Sequence, residues 1–334
     1  MIAQLTLGFL VAASWVPWWL SPGSQPRWVV LYLAVPLALL FVRLRPSPAH
    51  WMLAAWLAFS TASVLWSADP IASILWASRF ALLAGAFCLG SALASPRWLM
   101  AGMSAGLVPA ILTGSFFNPQ FLAEVAAPLL AFGLLAPGWW RLTSLAAAPA
   151  LFLANQPGAT LASALAVAVF FSLRVRWLSL PFAAAAITAA AWVTAPASIW
   201  NRLEIWRDAL PLLSPLGVGL GNFAPAYAAL PSHTSTDFLS GAVAIEFAHN
   251  ELLHFAVETG AASLLLVAVG CYALRGGWHD VHHRSPERGA LLALGVSACI
   301  AFPFHDPAAG FLGAVLAGWL CRPRPAAGGD HHHG

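Results

Sequence analysis

Long apolar runs rich in Ala, Leu and Val, with almost no charge inside them, dominate this 334-residue chain. Only 8% of its residues are charged, whereas about 25% is usual in a soluble domain. Because lipid offers no hydrogen bonds, only helices and closed barrels can span a bilayer. Barrel strands alternate polar and apolar residues, and these runs do not alternate. The sequence therefore predicts an all-α protein, a polytopic transmembrane helical bundle.

Breaks at Pro, Gly, Asn and charged residues divide the apolar runs into about twelve predicted spans. Their boundaries fall near residues 4–20, 28–42, 50–67, 71–94, 98–116, 120–136, 140–154, 158–173, 177–195, 249–274, 288–304 and 307–321. We interpret the first run as a span rather than a signal peptide, since no basic residue precedes it and no clear cleavage site follows. Residues 1–325 are predicted to form one membrane domain, followed by a tail at 326–334.

The basic residues are all Arg, and their distribution orients the bundle. With the N-terminus inside, eleven of the fifteen lie in cytoplasmic connections, namely Arg43, Arg45, Arg97, Arg141, Arg174, Arg176, Arg275, Arg284, Arg288, Arg322 and Arg324. Positively charged short loops stay on the cytoplasmic side, so both termini are predicted to be cytoplasmic. Residues 196–248, the longest segment outside the predicted spans, then form a cap between spans 9 and 10 that faces the periplasm or exterior.

The cap opens with an alternation of charged and aromatic residues that predicts a short helix near the membrane interface. Trp206 would lie at headgroup depth, flanked by Arg202 and Arg207. A simple interfacial anchor is one interpretation. Arg also binds phosphate through two parallel hydrogen bonds and keeps its charge, so Arg202 and Arg207 suit a lipid-linked phosphate.

Three glycines, Gly217, Gly219 and Gly221, follow in the cap at alternate positions. A dinucleotide-binding fingerprint needs a strand before it and a helix after it in a βαβ unit, which this chain does not offer. We expect a tight turn instead, whose exposed amides cradle an anion or whose role is purely structural.

His249 lies where the cap re-enters the membrane, at a predicted helix start. A helix amino terminus favours neutral imidazole, which can accept a proton. The alternative is a histidine whose polar atoms are merely satisfied at the membrane interface. His254 would lie about 140° further round the helix, so the two histidines are not expected to share a metal. Glu258 follows on the same helix.

Arg79 lies within the fourth predicted span. An Arg at that depth costs at least a few kcal/mol unless it faces a cavity or a partner, which makes it a candidate functional residue. Snorkelling to the interface is the alternative.

Several of these segments together resemble the O-antigen ligase and polymerase family of polytopic membrane glycosyltransferases. The similar segments are residues 202–206, residues 215–223, and His249-Asn250 followed by nine residues and Gly260. Weaker similarities occur at residues 66–70, 114–120 and 302–307, so the resemblance covers most of residues 60–321.

The resemblance implies transfer of a glycan from a polyprenyl-diphosphate carrier to an acceptor sugar hydroxyl at the outer face of a bacterial inner membrane. It implies neither a metal nor another cofactor, and no nucleic acid as a partner. Arg202 would contact the donor diphosphate. His249 would act on the acceptor hydroxyl, either as general base or by orienting it, and Asn250 would support it.

One departure concerns the entry to the eighth span, where the family commonly has a Ser-Arg-Gly-Ala-like run. This chain has Gln156-Pro157-Gly158-Ala159 there, so an Arg expected near the diphosphate is missing. Arg79 or Arg207 is expected to supply the lost charge, and a divergent or inactive family member is the alternative.

Two other functions stay open at this point. A polysaccharide polymerase shares the donor chemistry of a ligase and differs in its acceptor, which is another lipid carrier rather than a glycolipid core or other surface glycan. A transporter or flippase would also be polytopic, but it typically has related halves with interrupted helices, and the sequence has no evident internal repeat.

Overall fold

The computed structural model describes residues 1–13, 25–113, 118–172, 196–235, 239, 241, 245–275 and 285–323. Within these residues the regular secondary structure is entirely helical, with no strand, which confirms the all-α prediction. The ninth predicted span, Arg174, Arg176, Arg284, Arg324 and the tail at 326–334 lie outside the described residues.

Helices occupy, in whole or in part, each of the other eleven predicted apolar segments. In the first part of the chain they are α1 (Ile2–Ala13), α2 (Gln25–Leu39), α3 (Pro48–Ala62), α4 (Pro70–Ala92), α5 (Arg97–Thr113), α6 (Pro119–Leu135), α7 (Thr143–Ala154) and α8 (Pro157–Ser172). The cap holds α9 (Pro196–Ala209) and α10 (Phe223–Ala228), and the last helices are α11 (Glu251–Thr259), α12 (Ser263–Leu274), α13 (Pro286–Ala298) and α14 (Pro307–Cys321). The cap is thus more helical than the one short helix predicted.

Helix starts follow a local rule in which an Asp or Asn side chain caps the first turn and Pro occupies the first helical position. Asp69 accepts from the amides of Ile71 and Ala72, both at 3.0 Å, at the start of α4. Asn118 and Asp306 do the same before α6 and α14. A side-chain cap satisfies an otherwise free helical amide, and Pro there has no amide to lose.

Two helical stretches are long and apolar enough to cross a membrane, Pro70–Ala92 and Glu251–Leu274. The second comprises α11, a 3-10 turn at Gly260–Ala262 and α12. Shorter apolar helices of 10–17 residues are Ile2–Ala13, Arg27–Leu39, Pro119–Leu135, Gly158–Val167 and Pro307–Cys321. At about 1.5 Å per residue, Pro119–Leu135 and Pro307–Cys321 fall short of a hydrocarbon core of about 30 Å.

Several helices approach one another backbone to backbone through glycine. A Cβ atom at Gly90 of α4 would meet the carbonyl oxygen of Val315 in α14, and one at Gly318 would meet that of Phe87. Gly8 of α1 contacts α5 in the same way. Small residues that allow such close contact are typical of interfaces between membrane helices.

Many large apolar side chains are exposed and many charged side chains are buried, which is the reverse of the pattern expected for a protein in water. Large apolar side chains stand exposed on several helices, among them Leu33, Ile71, Leu112 and Phe152. Charged side chains lie buried inside the bundle, and these are Arg27, Arg79, Glu124, Glu251, Glu258, Glu287 and Asp306. Most of these buried groups surround the segment that connects α13 to α14, which is where the candidate site is found.

Candidate functional site

The connection from α13 to α14, residues 300–306, bonds to side chains from other helices, and we call it the hub turn. Arg202 of α9 donates from Nη1 to the carbonyl oxygen of Ile300 at 2.6 Å. At its other end, Arg27 of α2 donates to Oδ1 of Asp306 at 2.6 Å, in a buried ion pair. The hub turn therefore ties α2 and the cap helix α9 to the same short piece of backbone.

Two further helices reach the hub turn with carboxylates. Glu251 of α11 accepts from the Phe304 amide at 3.0 Å. Glu124 of α6 interacts with the backbone amide of Phe302, and Nε2 of Gln120 donates to its Oε1 at 2.9 Å. The second oxygen of Glu124 is buried without a hydrogen bond from a described residue.

His249 lies beside the hub turn in a strained backbone conformation. Its φ angle is +52°, a positive value that is uncommon for residues other than Gly and that Asn, Asp and His adopt more often than the rest. Its ring centroid is 5.2 Å from that of Phe302, in an edge-to-face contact. Such strain persists where the surrounding contacts enforce it, and it is common at functional sites.

The neighbours of His249 enforce this conformation. Nε1 of Trp206 donates to the carbonyl oxygen of Ala248 at 2.8 Å, which joins α9 to the residue before His249. On the other side, Oδ1 of Asn250 accepts from the Leu253 amide at 3.0 Å and caps α11. Trp206 thus holds the histidine loop by a hydrogen bond in addition to any contact with the membrane interface.

The imidazole of His249 is held in its neutral form. Burial, then the electrostatic influence of Arg202 and of His254, lower its pKa from 6.5 to about 4. This agrees with the expected neutral imidazole, but the first cause is burial and the second is Arg202 rather than the helix amino terminus. Nδ1 is buried and has no hydrogen-bond partner among the described residues. His249 therefore has a free nitrogen for a proton from a bound hydroxyl.

Among the charged groups, Arg202 has the largest electrostatic effect on the pKa of His249. Burial lowers the pKa of its guanidinium and Glu124 raises it, yet an Arg stays charged in proteins. An ideal Cβ atom on Gly158 would lie 4.0 Å from its Nη1, so the start of α8 lies beside Arg202. Gly158, in the segment where the resemblance would place an Arg, is therefore adjacent to Arg202.

The glycine loop of the cap forms the predicted tight turn, with φ angles of +72°, +102° and +76° at Gly217, Gly219 and Gly221. Its amides bond to the protein itself. Gly219 donates to the carbonyl oxygen of Glu258 at 3.0 Å. The Glu258 carboxylate accepts from the Phe223 amide at 3.1 Å and also interacts with the Gly221 amide. The anion that this turn cradles is thus the carboxylate of the chain's own Glu258.

Asn222 fastens the glycine loop to the start of α4. Its Oδ1 accepts from the Asp69 amide at 2.7 Å, and its Nδ2 donates to Oγ of Ser73 at 2.9 Å. The same amide group reaches the carbonyl oxygen of Leu220 at 3.0 Å. The cap is therefore anchored to the bundle by a buried side chain, and residues 66–70 lie at this anchor.

His254, Glu258 and His305 form a fully buried group whose potential metal-ligand atoms all lie within 4.8 Å of one another. Nε2 of His254 is 3.2 Å from Oε1 of Glu258, and the Ala248 amide donates to its Nδ1 at 3.4 Å. With Nδ1 as an acceptor, the proton sits on Nε2 and points at Glu258. The donor set has the types that hold a divalent cation, while the present bonds are those of a hydrogen-bonded network.

The sequence contained a signal for this group. His254 and Glu258 are four residues apart and so share one helical face, whereas His305 comes from the distant hub turn.

The other two candidate Arg residues do not share the hydrogen bond of Arg202 to the hub turn, although Arg79 acts electrostatically on His305 in that turn. Arg207 is exposed on α9, and no hydrogen bond or ion pair joins it to a described residue. Five helical positions rotate a side chain by about 140°, so Arg207 and Arg202 point in different directions. Arg79 is buried in α4, where its guanidinium lies 4.5 Å from the Trp76 ring centroid.

Inside the cap, Asp208 at the end of α9 gathers a hydrogen-bond network. It accepts from the Thr234 amide at 2.7 Å, the Thr234 hydroxyl at 2.6 Å, the Ser235 amide at 3.1 Å and the Tyr227 hydroxyl at 3.0 Å. Burial raises the pKa of Asp208, but these hydrogen bonds outweigh it and lower the pKa overall. These bonds hold Tyr227, Thr234 and Ser235 against the end of α9.

The described part of the chain thus brings Arg202, His249 and Glu124 to one turn and ties the glycine loop to Glu258. No protein-family model matches this chain, and no curated protein matches it.

Proposed function

We propose that the chain is a multi-spanning membrane glycosyltransferase of the O-antigen ligase type. It would move a glycan from a polyprenyl-diphosphate carrier to an acceptor sugar hydroxyl. The observation that carries the proposal is a half-buried, neutral His249 with a positive φ angle, which contacts the same hub turn as the guanidinium of Arg202. A base and a fixed positive charge at one place suit attack by a hydroxyl on a carbon that bears a diphosphate leaving group.

The membrane part of the proposal rests on the distribution of polarity. Exposed apolar side chains, buried charges and glycine-mediated helix contacts fit a bundle of about twelve spans surrounded by lipid. Helices of 12–17 residues would cross a bilayer together with flanking segments or where the bilayer thins. In this arrangement the protein lies in the bacterial inner membrane with the cap outside and both termini in the cytoplasm.

In the proposed reaction the acceptor oxygen attacks the anomeric carbon of the donor glycan. The bond from that carbon to the diphosphate oxygen breaks, and the electron pair leaves with the diphosphate. A ring nitrogen of His249 takes the hydroxyl proton, and Arg202 stabilises the negative charge that grows on the leaving group. The step uses no metal and no nucleotide, and the polyprenyl diphosphate is the second product.

Supporting roles follow from the contacts. Trp206 and Asn250 hold the residues on either side of His249. Gly217, Gly219, Gly221 and Glu258 fix the cap over α11. Arg207 lies too exposed on α9 for a direct diphosphate contact of the kind proposed for Arg202, so we assign it a weaker, long-range attraction of the anionic donor.

A direct assay tests the proposal with protein purified in detergent and a polyprenyl-diphosphate-linked glycan as donor. His249→Gly should abolish transfer while keeping the fold, because Gly accepts the left-handed backbone. Free imidazole at millimolar concentration should then restore part of the rate. Full transfer by the Gly variant without imidazole would exclude His249 as the base.

Arg202 and Arg207 provide a matched pair on one helix. Arg202→Lys should lower transfer by at least about tenfold, because Lys cannot form the paired hydrogen bonds of a guanidinium. Arg207→Lys should stay near wild type and Arg207→Ala should lose only a few fold, with the loss disappearing at high salt. Equal losses in Arg202→Lys and Arg207→Lys would contradict the assigned roles.

Ligase activity is the first choice and polymerase activity the second, since both use the same donor and leaving group. Supplying a glycolipid core or a second lipid-linked glycan as the acceptor distinguishes them. A transporter or flippase is the alternative from another class. Vectorial movement of the lipid-linked glycan without bond formation would replace the transferase proposal.

A further inference from the structure

Arg79 lies inside the bundle without a counter-ion among the described residues. Its side chain belongs to α4 and the residue is 7% exposed. Its Nε is buried and has no hydrogen-bond partner there. Asp306, the buried carboxylate of the hub turn, is already bonded to Arg27. A buried cation without a partner is costly, so this position calls for an anion from outside the chain.

The surroundings of Arg79 have the form of a binding site. Its guanidinium carbon lies 4.5 Å from the ring centroid of Trp76 and 5.3 Å from that of Trp28. These faces attract a cation but cannot neutralise it. Both aromatic residues leave the donor groups of the guanidinium free for an acceptor.

A pair of hydroxyl groups that includes Tyr32 lies on one side of Arg79. The hydroxyls of Tyr32 and Ser78 lie 2.5 Å apart, and Tyr32 acts electrostatically on Arg79. Tyr32 is 39% exposed, so this side of the site opens between α2 and α4 toward the outer surface of the bundle. The Ser78 hydroxyl donates to the carbonyl oxygen of Leu75 at 2.7 Å, so the two hydroxyls bond within the protein and the guanidinium supplies the donors. A guanidinium binds a phosphate through paired hydrogen bonds.

The surface around this opening is apolar. The exposed side chains on the two helices are Val29, Leu33, Ile71, Ile74 and Leu75. In a bilayer they would contact acyl or polyprenyl chains. An anion that arrives with such a chain attached fits this combination better than free phosphate.

We infer that Arg79, with Trp28, Trp76 and Tyr32 around it, forms a binding site for the phosphate of a lipid. The lipid would be an anionic phospholipid or a polyprenyl phosphate or diphosphate, which share this chemistry. The site differs from that of Arg202 and does not depend on the proposed transfer reaction.

Thermal unfolding of the detergent-purified protein tests the site with defined lipids. Phosphatidylglycerol, undecaprenyl phosphate or phosphatidylcholine would be added to separate samples, the last as the lipid without net charge. We expect at least one anionic lipid to raise the Tm of the wild type by about 3–5 °C, as a ligand that binds only the folded state does. Native mass spectrometry would count the retained lipid.

Arg79→Gln should lose this shift and retain at least tenfold less lipid. Without added lipid its Tm should equal or exceed that of the wild type, because an uncompensated charge has been removed. Arg275→Gln is the matched control, since Arg275 is exposed and its guanidinium lies over the ring of Tyr272 at 3.4 Å. It should keep the full lipid-dependent shift.

Equal lipid-dependent shifts in the wild type and Arg79→Gln would overturn the site, as would a shift of the same size with phosphatidylcholine. If the Gln variant does not fold, Arg79→Lys replaces it, and unchanged lipid retention by Lys would also overturn the inference. A shift with undecaprenyl phosphate alone identifies a lipid-carrier site, and one with phosphatidylglycerol alone identifies a phospholipid site. Loss of glycan transfer plays no part in this result, so the two proposals fail separately.

Discussion

Nδ1 of His305 lies 3.1 Å from each carboxylate oxygen of Glu251, and the Phe304 amide donates to the same carboxylate at 3.0 Å. Glu251 is the first residue of α11, directly after the capping Asn250, and His305 belongs to the hub turn. One side chain therefore sets the distance between the helix that follows His249 and the turn that receives Arg202.

Replacing this carboxylate tests how much of the site it holds. Glu251→Gln keeps the shape but turns one acceptor oxygen into a donor, and we expect a loss of about 1–3 kcal/mol in stability from the unsatisfied bonds. Thermal or denaturant unfolding would measure it. Glu246→Gln, at an exposed position in the neighbouring cap, should change stability by less than about 0.5 kcal/mol. Equal effects of the two variants would contradict the role given to Glu251.

The pH dependence of transfer should reflect the lowered pKa of His249. Because its pKa is about 4 in the folded protein, the imidazole stays neutral well below the value of about 6.5 for an ordinary His. The transfer rate should be nearly constant from about pH 8 to 5.5 and fall as the pH approaches 4. Initial rates with saturating donor would show this. A half-maximal rate near pH 6.5 would mean that His249 is not buried in the working enzyme.

Stability should follow the same group with a defined sign. The unfolded chain binds a proton at His249 below about pH 6.5, and the folded chain does so only near pH 4. The contribution of His249 to stability is therefore present above pH 6.5 and decreases as the pH falls toward 4. In His249→Asn, which also tolerates the left-handed backbone, this part of the pH dependence should disappear. An unchanged pH profile of Tm in that variant would count against the prediction.

The glycine loop should not accept even one methyl group at its first position. Gly217 has a φ of +72°, and a Cβ atom there would meet the carbonyl oxygen of Glu258. Gly217→Ala should lower the folding stability by more than about 2 kcal/mol, because strain and a backbone clash add. Gly270→Ala is the control, since its Cβ would meet nothing within 4 Å. Yield of monodisperse protein and Tm should separate the two variants clearly.

Asp208 should govern the local stability of the cap. Asp208→Asn loses acceptor capacity for the hydrogen bonds from Thr234, Ser235 and Tyr227, so residues 223–235 should be cleaved faster in limited proteolysis. Since its pKa is lowered on folding, the stabilisation by Asp208 is present above the unfolded pKa of about 3.9 and is lost as the pH falls below it. Identical proteolysis of the Asn variant and the wild type would show that the cap does not depend on this network.

The helices were predictable because apolar runs and their boundaries are local features. The Asp69-Pro70 and Asp306-Pro307 pairs mark helix starts in the sequence and do so in the structure. Helix length was less predictable, because several apolar segments contain fewer helical residues than a bilayer requires. Helix α6 has 17 residues, against the roughly 20 that a membrane span requires.

The candidate site was predictable only in part, because its residues meet through contacts distant in sequence. Arg202 and His249 could be singled out from their residue type and position. Their meeting place could not, since Arg202 bonds to Ile300, 98 residues away. Glu124 is a single acidic residue in an apolar run, and this alone does not predict a site. The glycine loop bonds to the backbone and the carboxylate of Glu258, and backbone partners leave no pattern in the sequence.

The different directions of Arg202 and Arg207 follow from their five-residue separation on a helix, and this could have been predicted from the sequence. Arg202 and Arg207 share a charge and lie close together along the chain. Helical rotation separates them, so that one lies at the hub turn and the other is exposed on the cap.

The hub turn has a consequence for how such a protein can change over evolutionary time. Arg27, Glu124, Arg202, His249 and Glu251 all contact its seven residues. A substitution within the turn therefore affects several helices at once, whereas one in the exposed part of α9 affects a single surface. In a genetic selection, second-site suppressors of defects at Trp206 or Asn250 should accumulate in residues 300–306, and inherited variation should concentrate on the outer side of the cap.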